Sequence, residues 1–214
     1  MTLQMTVTTH RPLIGGRWVA GEGGEFAVSS PATEDVIATV QAASVNQSEA
    51  AVLAARGAFD TGPWPTLAPA DRVAAVLRLA DALDARRDIL VETAIQETGC
   101  PRGVTEAFQV DAALRSVREL SDLYTRLPEW EHNETPLADH LTGPRVQLSI
   151  RRFEPSGVVA AITPYNFPLI TNVWKLVPAL LVGCTTVLRP SPLTPWRPSA
   201  SARRQRRRSS HRGS

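Results

Sequence analysis

Cysteine, lysine and aromatic residues are all scarce in this sequence. Its two cysteines, Cys100 and Cys184, are too few for a disulfide framework or a zinc site. No metal site is therefore expected, and a reducing, cytoplasmic setting is the default. Lysine occurs once, at Lys175, and every other fixed positive charge is arginine. No apolar run reaches the roughly 18–20 residues that a membrane-spanning helix needs, so no membrane association is expected. The N-terminus lacks the basic start and apolar core of a secretory signal. Acidic residues are missing between Arg197 and Arg212, where seven arginines fall. Those seven exceed the whole formal charge of +2, so the chain ahead of them is net acidic. Nothing in that acidic part points to nucleic acid as a partner.

What is present is the composition of a folded globular protein. An apolar share of 43% over 214 residues can bury the core of one ordinary domain or two small ones. Residues 1–12 read as a flexible N-terminus. Leu13 to Val19 reads as two short strands around a Gly15-Gly16 turn, a two-residue hairpin signal. Strands are expected at Glu25–Val28 and Val36–Val40, with a turn over Pro31–Asp35 between them. Ser48–Phe59 has helical apolar spacing, and Thr61-Gly-Pro-Trp-Pro65 breaks it. Pro69 to Gly99 carries the strongest helical pattern, with Pro69 suited to a first turn and Gly99 to a C-terminal stop. A second helix is expected from about Thr105 to Leu127. These elements make 13–135 one helical and β portion.

Residues 136–154 read as a β arm. From Arg145 to Phe153 apolar and polar residues alternate, with Val146, Leu148 and Ile150 on one face, which predicts a half-buried strand. Such a strand is either an edge of its own domain or an arm that pairs with another subunit.

The stretch from Pro155 to Pro195 is the centre of the chain. Gly157–Ile162 is a short apolar run of the kind that forms a buried strand. Pro164 and Pro168 lack amide donors and end it. Leu169–Val182 is apolar almost all round, as a buried helix is, and Gly183 stops it. Thr185–Arg189 is β-branched enough for a second strand. Strand, short turn, helix and strand make one βαβ unit, the building block of a parallel nucleotide-binding sheet. Beyond Pro195 no aliphatic residue is larger than alanine. Residues 196–214 are therefore expected to be a disordered arginine- and serine-rich tail.

The ordered residues of 155–195 resemble the signature of NAD(P)-dependent aldehyde dehydrogenases. That family carries Pro-x-Gly-Val-Val, Pro-Trp-Asn-Phe-Pro, Lys-x-x-Pro-Ala-Leu, Gly-Asn-Thr and Lys-Pro-Ser-Glu-x-Thr-Pro in order. Here the series runs Pro155-Ser-Gly157-Val-Val159, Pro164-Tyr165-Asn166-Phe167-Pro168, Lys175-Leu-Val-Pro178-Ala-Leu180, Gly183-Cys184-Thr185 and Arg189-Pro-Ser191-Pro192-Leu-Thr194-Pro195. Upstream, Ile14-Gly-Gly-Arg-Trp18, Ser30-Pro-Ala-Thr33, Ala54-Ala-Arg56, Ala58-Phe59 and Arg72 match in the same order, so the resemblance covers about 13–195. The fold it implies is α/β: the N-terminal part of a Rossmann-type cofactor domain, with an incomplete parallel sheet and an oligomerisation-type β arm. The implied activity is oxidation of an aldehyde to a carboxylic acid with NAD or NADP.

The resemblance assigns roles residue by residue. Asn166 would donate its side-chain amide to the oxyanion of the tetrahedral intermediate, a contribution of about 3 kcal/mol to the barrier. Its position before Pro168 equally suits a helix N-cap. Lys175 would belong to a proton-handling network, or else snorkel from a partly exposed face. Ile162, Thr163 and Pro164 would line the cofactor cleft, and Tyr165 replaces the family tryptophan while keeping an aromatic wall. Arg189 would bind the adenosine ribose, and Ser191 and Pro192 belong to the same cofactor-binding segment. Pro192 stands where the family has a glutamate, so no carboxylate repels a 2′-phosphate there and the choice between NAD and NADP stays open. Cys184 is not the family nucleophile by position and reads as a buried, inert thiol.

The family's phosphate-contacting Gly-rich turn, general-base glutamate and nucleophilic cysteine all lie beyond the matched region. The expectation is therefore an inactive fragment, truncated after Pro195 by a frameshift or premature stop. The alternative is a non-catalytic interaction protein. It would pair with a full-length subunit through 145–153, as a homo- or hetero-oligomer, or bind acidic partners through the basic tail.

Overall fold

The computed structural model describes residues 8–133 and 148–195. The tail and residues 145–147 of the expected strand lie outside them. Strand β1 (Thr8–His10) is the first described element and falls inside the stretch 1–12 expected to be flexible, whose residues 1–7 lie outside the described residues. Its backbone pairs in parallel with β5, and His10 is buried at 7% exposure. The partner lies some thirty residues downstream, out of reach of any local pattern. Strands β2 (Leu13–Ile14) and β3 (Arg17–Trp18) form the expected hairpin. Gly15 and Gly16 both have positive φ, 55° and 77°, as a two-residue hairpin turn requires. Strands β4 (Glu25–Ser29) and β5 (Val36–Gln41) are antiparallel, giving a three-stranded sheet in the order β1-β5-β4.

Helix α1 (Val45–Thr61) begins at Ser44, whose side chain accepts from the Gln47 amide while the Gln47 side chain bonds back to the Ser44 amide. That reciprocal cap starts the helix three residues before its apolar spacing becomes visible. The long helix expected over 69–99 is two helices, α2 (Pro69–Asp84) and α3 (Arg87–Thr98). No glycine or proline causes the break. Between Leu83 and Ile89 the sequence offers no apolar residue larger than Ala85, so no packing holds a continuous helix there. Gly99 closes α3 in the left-handed conformation, as expected. A single turn, α4 (Arg102–Val104), leads into a π-helical segment (Thr105–Asp111) and then α5 (Ala112–Thr125).

Strand β6 (Trp130–His132) pairs antiparallel with β7 (Ile150–Arg152). Leu148 and Ile150 are 73% and 50% exposed, so the alternation seen in the sequence does not bury a face here. The βαβ unit follows: β8 (Val158–Ile162), α6 (Pro168–Leu181) and β9 (Thr185–Arg189). β8 and β9 are parallel, from Val158 opposite Thr185 to Ile162 opposite Arg189. β8 is less enclosed than its apolar run suggests, since Ala160 and Ile162 are exposed.

The main core is helical. Val76 and Ala80 of α2, Leu90 and Val91 of α3, Leu114 and Val117 of α5, and Leu169, Val173 and Val177 of α6 meet there. Burying each of the larger aliphatics contributes about 1.5–3 kcal/mol before chain entropy is counted. Buried Arg72 closes one end of this core. Its Nε donates to the Leu181 carbonyl at 2.8 Å, Nη1 to the Leu67 carbonyl at 2.6 Å and Nη2 to the Tyr124 hydroxyl at 2.8 Å. Trp64 Nε1 donates to the Leu180 carbonyl at 3.2 Å. The final carbonyls of α6 are thus satisfied by donors from distant segments, which sets where Gly183 turns the chain into β9.

Candidate functional site

Two loops meet at the carboxyl ends of β8 and β9. The first, 163–167, joins β8 to α6, and the second, 190–194, follows β9. The Ile162–Arg189 pairing brings them side by side. Ligands bind at this end of a parallel sheet, because loops there are free to vary and helix N-termini face it.

Each loop is fixed by its own short-range chemistry. The Thr163 amide donates to the Arg189 carbonyl at 3.2 Å, extending the sheet by one bond. The Thr163 hydroxyl donates to Asn172 Oδ1 at 2.7 Å, and both side chains are buried. Thr163 therefore presents neither its amide nor its hydroxyl proton to the cleft. In the second loop the Leu193 amide donates to Ser191 Oγ at 3.2 Å. Ser191 is buried, whereas Pro192 and Arg189 are exposed.

Phe167 begins α6 with φ 55° and ψ 52°, the left-handed region. For an aromatic L-residue this costs on the order of 1–3 kcal/mol. The bend points the chain into the helix while leaving Asn166 exposed at its mouth. Phe167, not Asn166, occupies the N-cap position, and no side chain caps the helix. The N-cap reading of Asn166 does not hold. No acidic residue lies in the first turn of α6, so the positive end of its dipole is uncompensated beside Asn166.

Ile162 and Arg189 end β8 and β9, and Thr163, Pro164, Tyr165, Asn166, Ser191 and Pro192 lie on the two loops that follow them. Lys175 does not join them. It sits on an exposed part of α6, seven residues beyond Pro168, or about 10 Å along the helix axis. Cys184 is 2% exposed, with its Sγ 3.5 Å from Ser156 Oγ. It precedes β9, so it lies at the opposite end of the sheet from Asn166, about 16 Å away along a five-residue strand. Among the described residues no group of three or more His, Cys, Asp and Glu is spaced to hold a metal ion. No helix among them is long and apolar enough to cross a membrane.

The comparison with known proteins decides the family. The model of the aldehyde dehydrogenase family matches residues 18–204. The chain belongs to the aldehyde dehydrogenase family. Among curated relatives it is 35% identical over 188 residues to the phenylacetaldehyde dehydrogenase of Pseudomonas fluorescens, covering 87% of this chain and 37% of that one. It is 33% identical over 183 residues to the aminoacetaldehyde dehydrogenase of Pseudomonas aeruginosa, covering 84% of this chain and 34% of that one. The structure is similar to that of a Mycobacterium tuberculosis aldehyde dehydrogenase complexed with NAD+, with a TM-score of 0.79 and 33% identity over 89% of this chain and 38% of the other. The chain therefore spans little more than a third of the length of these relatives.

NAD(P) is the family cofactor, and the two loops suit part of it. Ile162 and Tyr165, 59% and 58% exposed, offer apolar and aromatic surface. Arg189 offers an exposed guanidinium beside them. The β8–α6 loop contains no glycine, so it does not provide the close backbone approach that cradles a pyrophosphate.

Sequence reasoning missed three features of the site. The left-handed Phe167 left no signal, since a bulky aromatic residue does not favour that conformation. Asn172 lies within a stretch that reads as apolar almost all round, and its bond to Thr163 is a tertiary contact. Thr194 stood inside the matched motif, but the bond it makes to the other loop is a tertiary fact.

Proposed function

We propose that this chain contributes the oxyanion donor and the nucleoside side of the cofactor cleft to an NAD(P)-dependent oxidation of an aldehyde to a carboxylic acid. The observation that carries this reading is the placement of Asn166. Its amide is exposed at the uncapped N-terminus of α6, beside the loop that follows β9. As a thiolate adds to the aldehyde carbonyl, charge builds on the oxygen. The Asn166 Nδ2–H and the positive end of the helix dipole would both stabilise that charge. The bound cofactor supplies the hydride acceptor. Arg189, exposed at the end of β9, would hold the cofactor by donating to its ribose hydroxyls. With Pro192 in place of a carboxylate, Arg189 also tolerates a 2′-phosphate, so both NAD and NADP are accepted.

The attacking thiolate is neither Cys100 nor Cys184. Cys184 is buried and on the far side of the sheet, and Cys100 follows α3. We therefore expect no aldehyde-dependent reduction of NAD(P) by the 214-residue chain alone, and detectable turnover would overturn this. The direct test is a chimera in which residues 13–195 replace the matching segment of the phenylacetaldehyde dehydrogenase of Pseudomonas fluorescens. The chimera should oxidise phenylacetaldehyde, and Asn166→Ala should lower kcat by about 10²–10³-fold with little change in KM.

The β6–β7 ribbon supports a second role, pairing with another subunit. Trp130, Ile150 and Phe153 are 51%, 50% and 57% exposed on a two-stranded ribbon, an arrangement that a partner strand would cover. Cys100 and Cys184 are unpaired, which supports placement in a reducing compartment such as the cytoplasm.

A further inference from the structure

We propose that Thr194 is a positioning residue for Asn166, acting through the carbonyl of Tyr165. This rests on the reading of Asn166 as the oxyanion donor. The Thr194 hydroxyl donates to the Tyr165 carbonyl at 3.3 Å, across 29 residues of sequence. That carbonyl belongs to the peptide plane that includes the nitrogen and Cα of Asn166, so holding the oxygen holds one side of Asn166.

The rest of the loop is secured at its ends. Upstream, Thr163 is tied to Arg189 through its amide and to Asn172 through its hydroxyl. Downstream, the Phe167 carbonyl accepts from the Thr171 amide at 3.2 Å and from the Thr171 hydroxyl at 3.0 Å. Between these anchors Tyr165 is 58% exposed, and Asn166 and Pro164 are exposed too. Packing does not hold the middle of the loop. The bond from Thr194 is what spans it.

Thr194 is built to deliver that bond. It is 2% exposed, although it lies in a surface loop. Its own amide donates to the Ser191 carbonyl at 3.2 Å, and the Leu193 amide donates to Ser191 Oγ at 3.2 Å. The turn over Ser191–Thr194 therefore bonds to itself and turns the Thr194 hydroxyl inward. A hydroxyl donates where an isosteric methyl cannot, so valine at 194 keeps the shape and loses the tether. The two loops of the cleft are thereby coupled: the segment that carries Arg189 and Ser191 also sets the placement of Asn166.

The test uses the 214-residue chain labelled with ¹⁵N in asparagine, of which there are four: Asn46, Asn133, Asn166 and Asn172. Asn172 lies buried on α6 and serves as the internal control. In Thr194→Val the order parameter of the Asn166 backbone amide should fall from the rigid value of about 0.85 to below about 0.6, with Asn172 unchanged. Thr194→Ser keeps the hydroxyl and should restore the rigid value. If Thr194→Val leaves Asn166 as ordered as in the parent chain, the proposal is overturned. If Thr194→Val does not fold, Thr194→Ser decides: a rigid Asn166 supports the tether, and a loosened one shows that the γ-methyl packing matters instead. None of these outcomes depends on whether Asn166 acts on an oxyanion, which the chimera tests separately.

Discussion

Replacing Arg72 with methionine should destabilise the chain by about 3 kcal/mol. The magnitude follows from what each acceptor loses. The Leu181 carbonyl belongs to a residue that is 2% exposed, at the end of α6, and receives Arg72 Nε at 2.8 Å. A buried acceptor left unsatisfied costs about 1–3 kcal/mol. The Leu67 carbonyl and the Tyr124 hydroxyl, at 2.6 Å and 2.8 Å, can recover water in part, so each contributes about 0.5–1 kcal/mol. Methionine keeps most of the apolar stem, so the change isolates the donors from the packing. Lysine should recover about one bond of the three, because an ammonium cannot span acceptors that a planar fork reaches together. Tyr124→Phe should cost about 1 kcal/mol. Urea denaturation at constant slope measures all three variants, and thermal unfolding of Arg72→Met should fall by about 6–12 °C. A methionine variant within about 0.5 kcal/mol of the parent would refute this account of how α6 is held.

Two further predictions concern pH and assembly. Arg87 forms two short bonds to Asp111, at 2.6 Å and 2.8 Å, and these hold the Asp111 carboxyl below its ordinary value. A depressed carboxyl stabilises the fold above its unfolded value and loses that contribution as pH falls through the folded one. Arg87→Met should therefore cost up to about 1 kcal/mol at pH 7, since both side chains keep about a third of their surface in water, and nothing once Asp111 is protonated at low pH. Denaturation midpoints followed from pH 7 downward check this, and a cost that does not begin to shrink as pH falls below the ordinary carboxylate range contradicts it. If the β6–β7 ribbon pairs subunits, Ile150→Lys should lower the solution mass measured by light scattering, whereas an unchanged multimer or a parent that is already monomeric would exclude that role.

The βαβ unit was legible because its signals are local. Apolar runs, two prolines and Gly183 mark strand, turn, helix and stop within a few residues of one another, and the same residues carried the family motif. Elements held by distant partners were not legible. β1 exists because Thr8–His10 finds β5, and the break between α2 and α3 has no local breaker. The same division runs through the site. Asn166, Arg189 and Pro192 were readable from motif positions. The left-handed Phe167 and the bond from Thr194 to Tyr165 depend on how two loops meet, and composition or spacing does not encode that. Lys175 was readable from its motif position too, and it lies exposed on α6, about two turns beyond Pro168.

The central claim is that the amide of Asn166 stabilises developing charge in an aldehyde oxidation. The most direct measurement is steady-state kinetics of the chimera carrying residues 13–195, with and without Asn166→Ala. With Asn166 as the oxyanion donor, kcat falls in the variant by about 10²–10³-fold at nearly constant KM. A variant that keeps kcat within about twofold, or that loses activity only through KM, would contradict it.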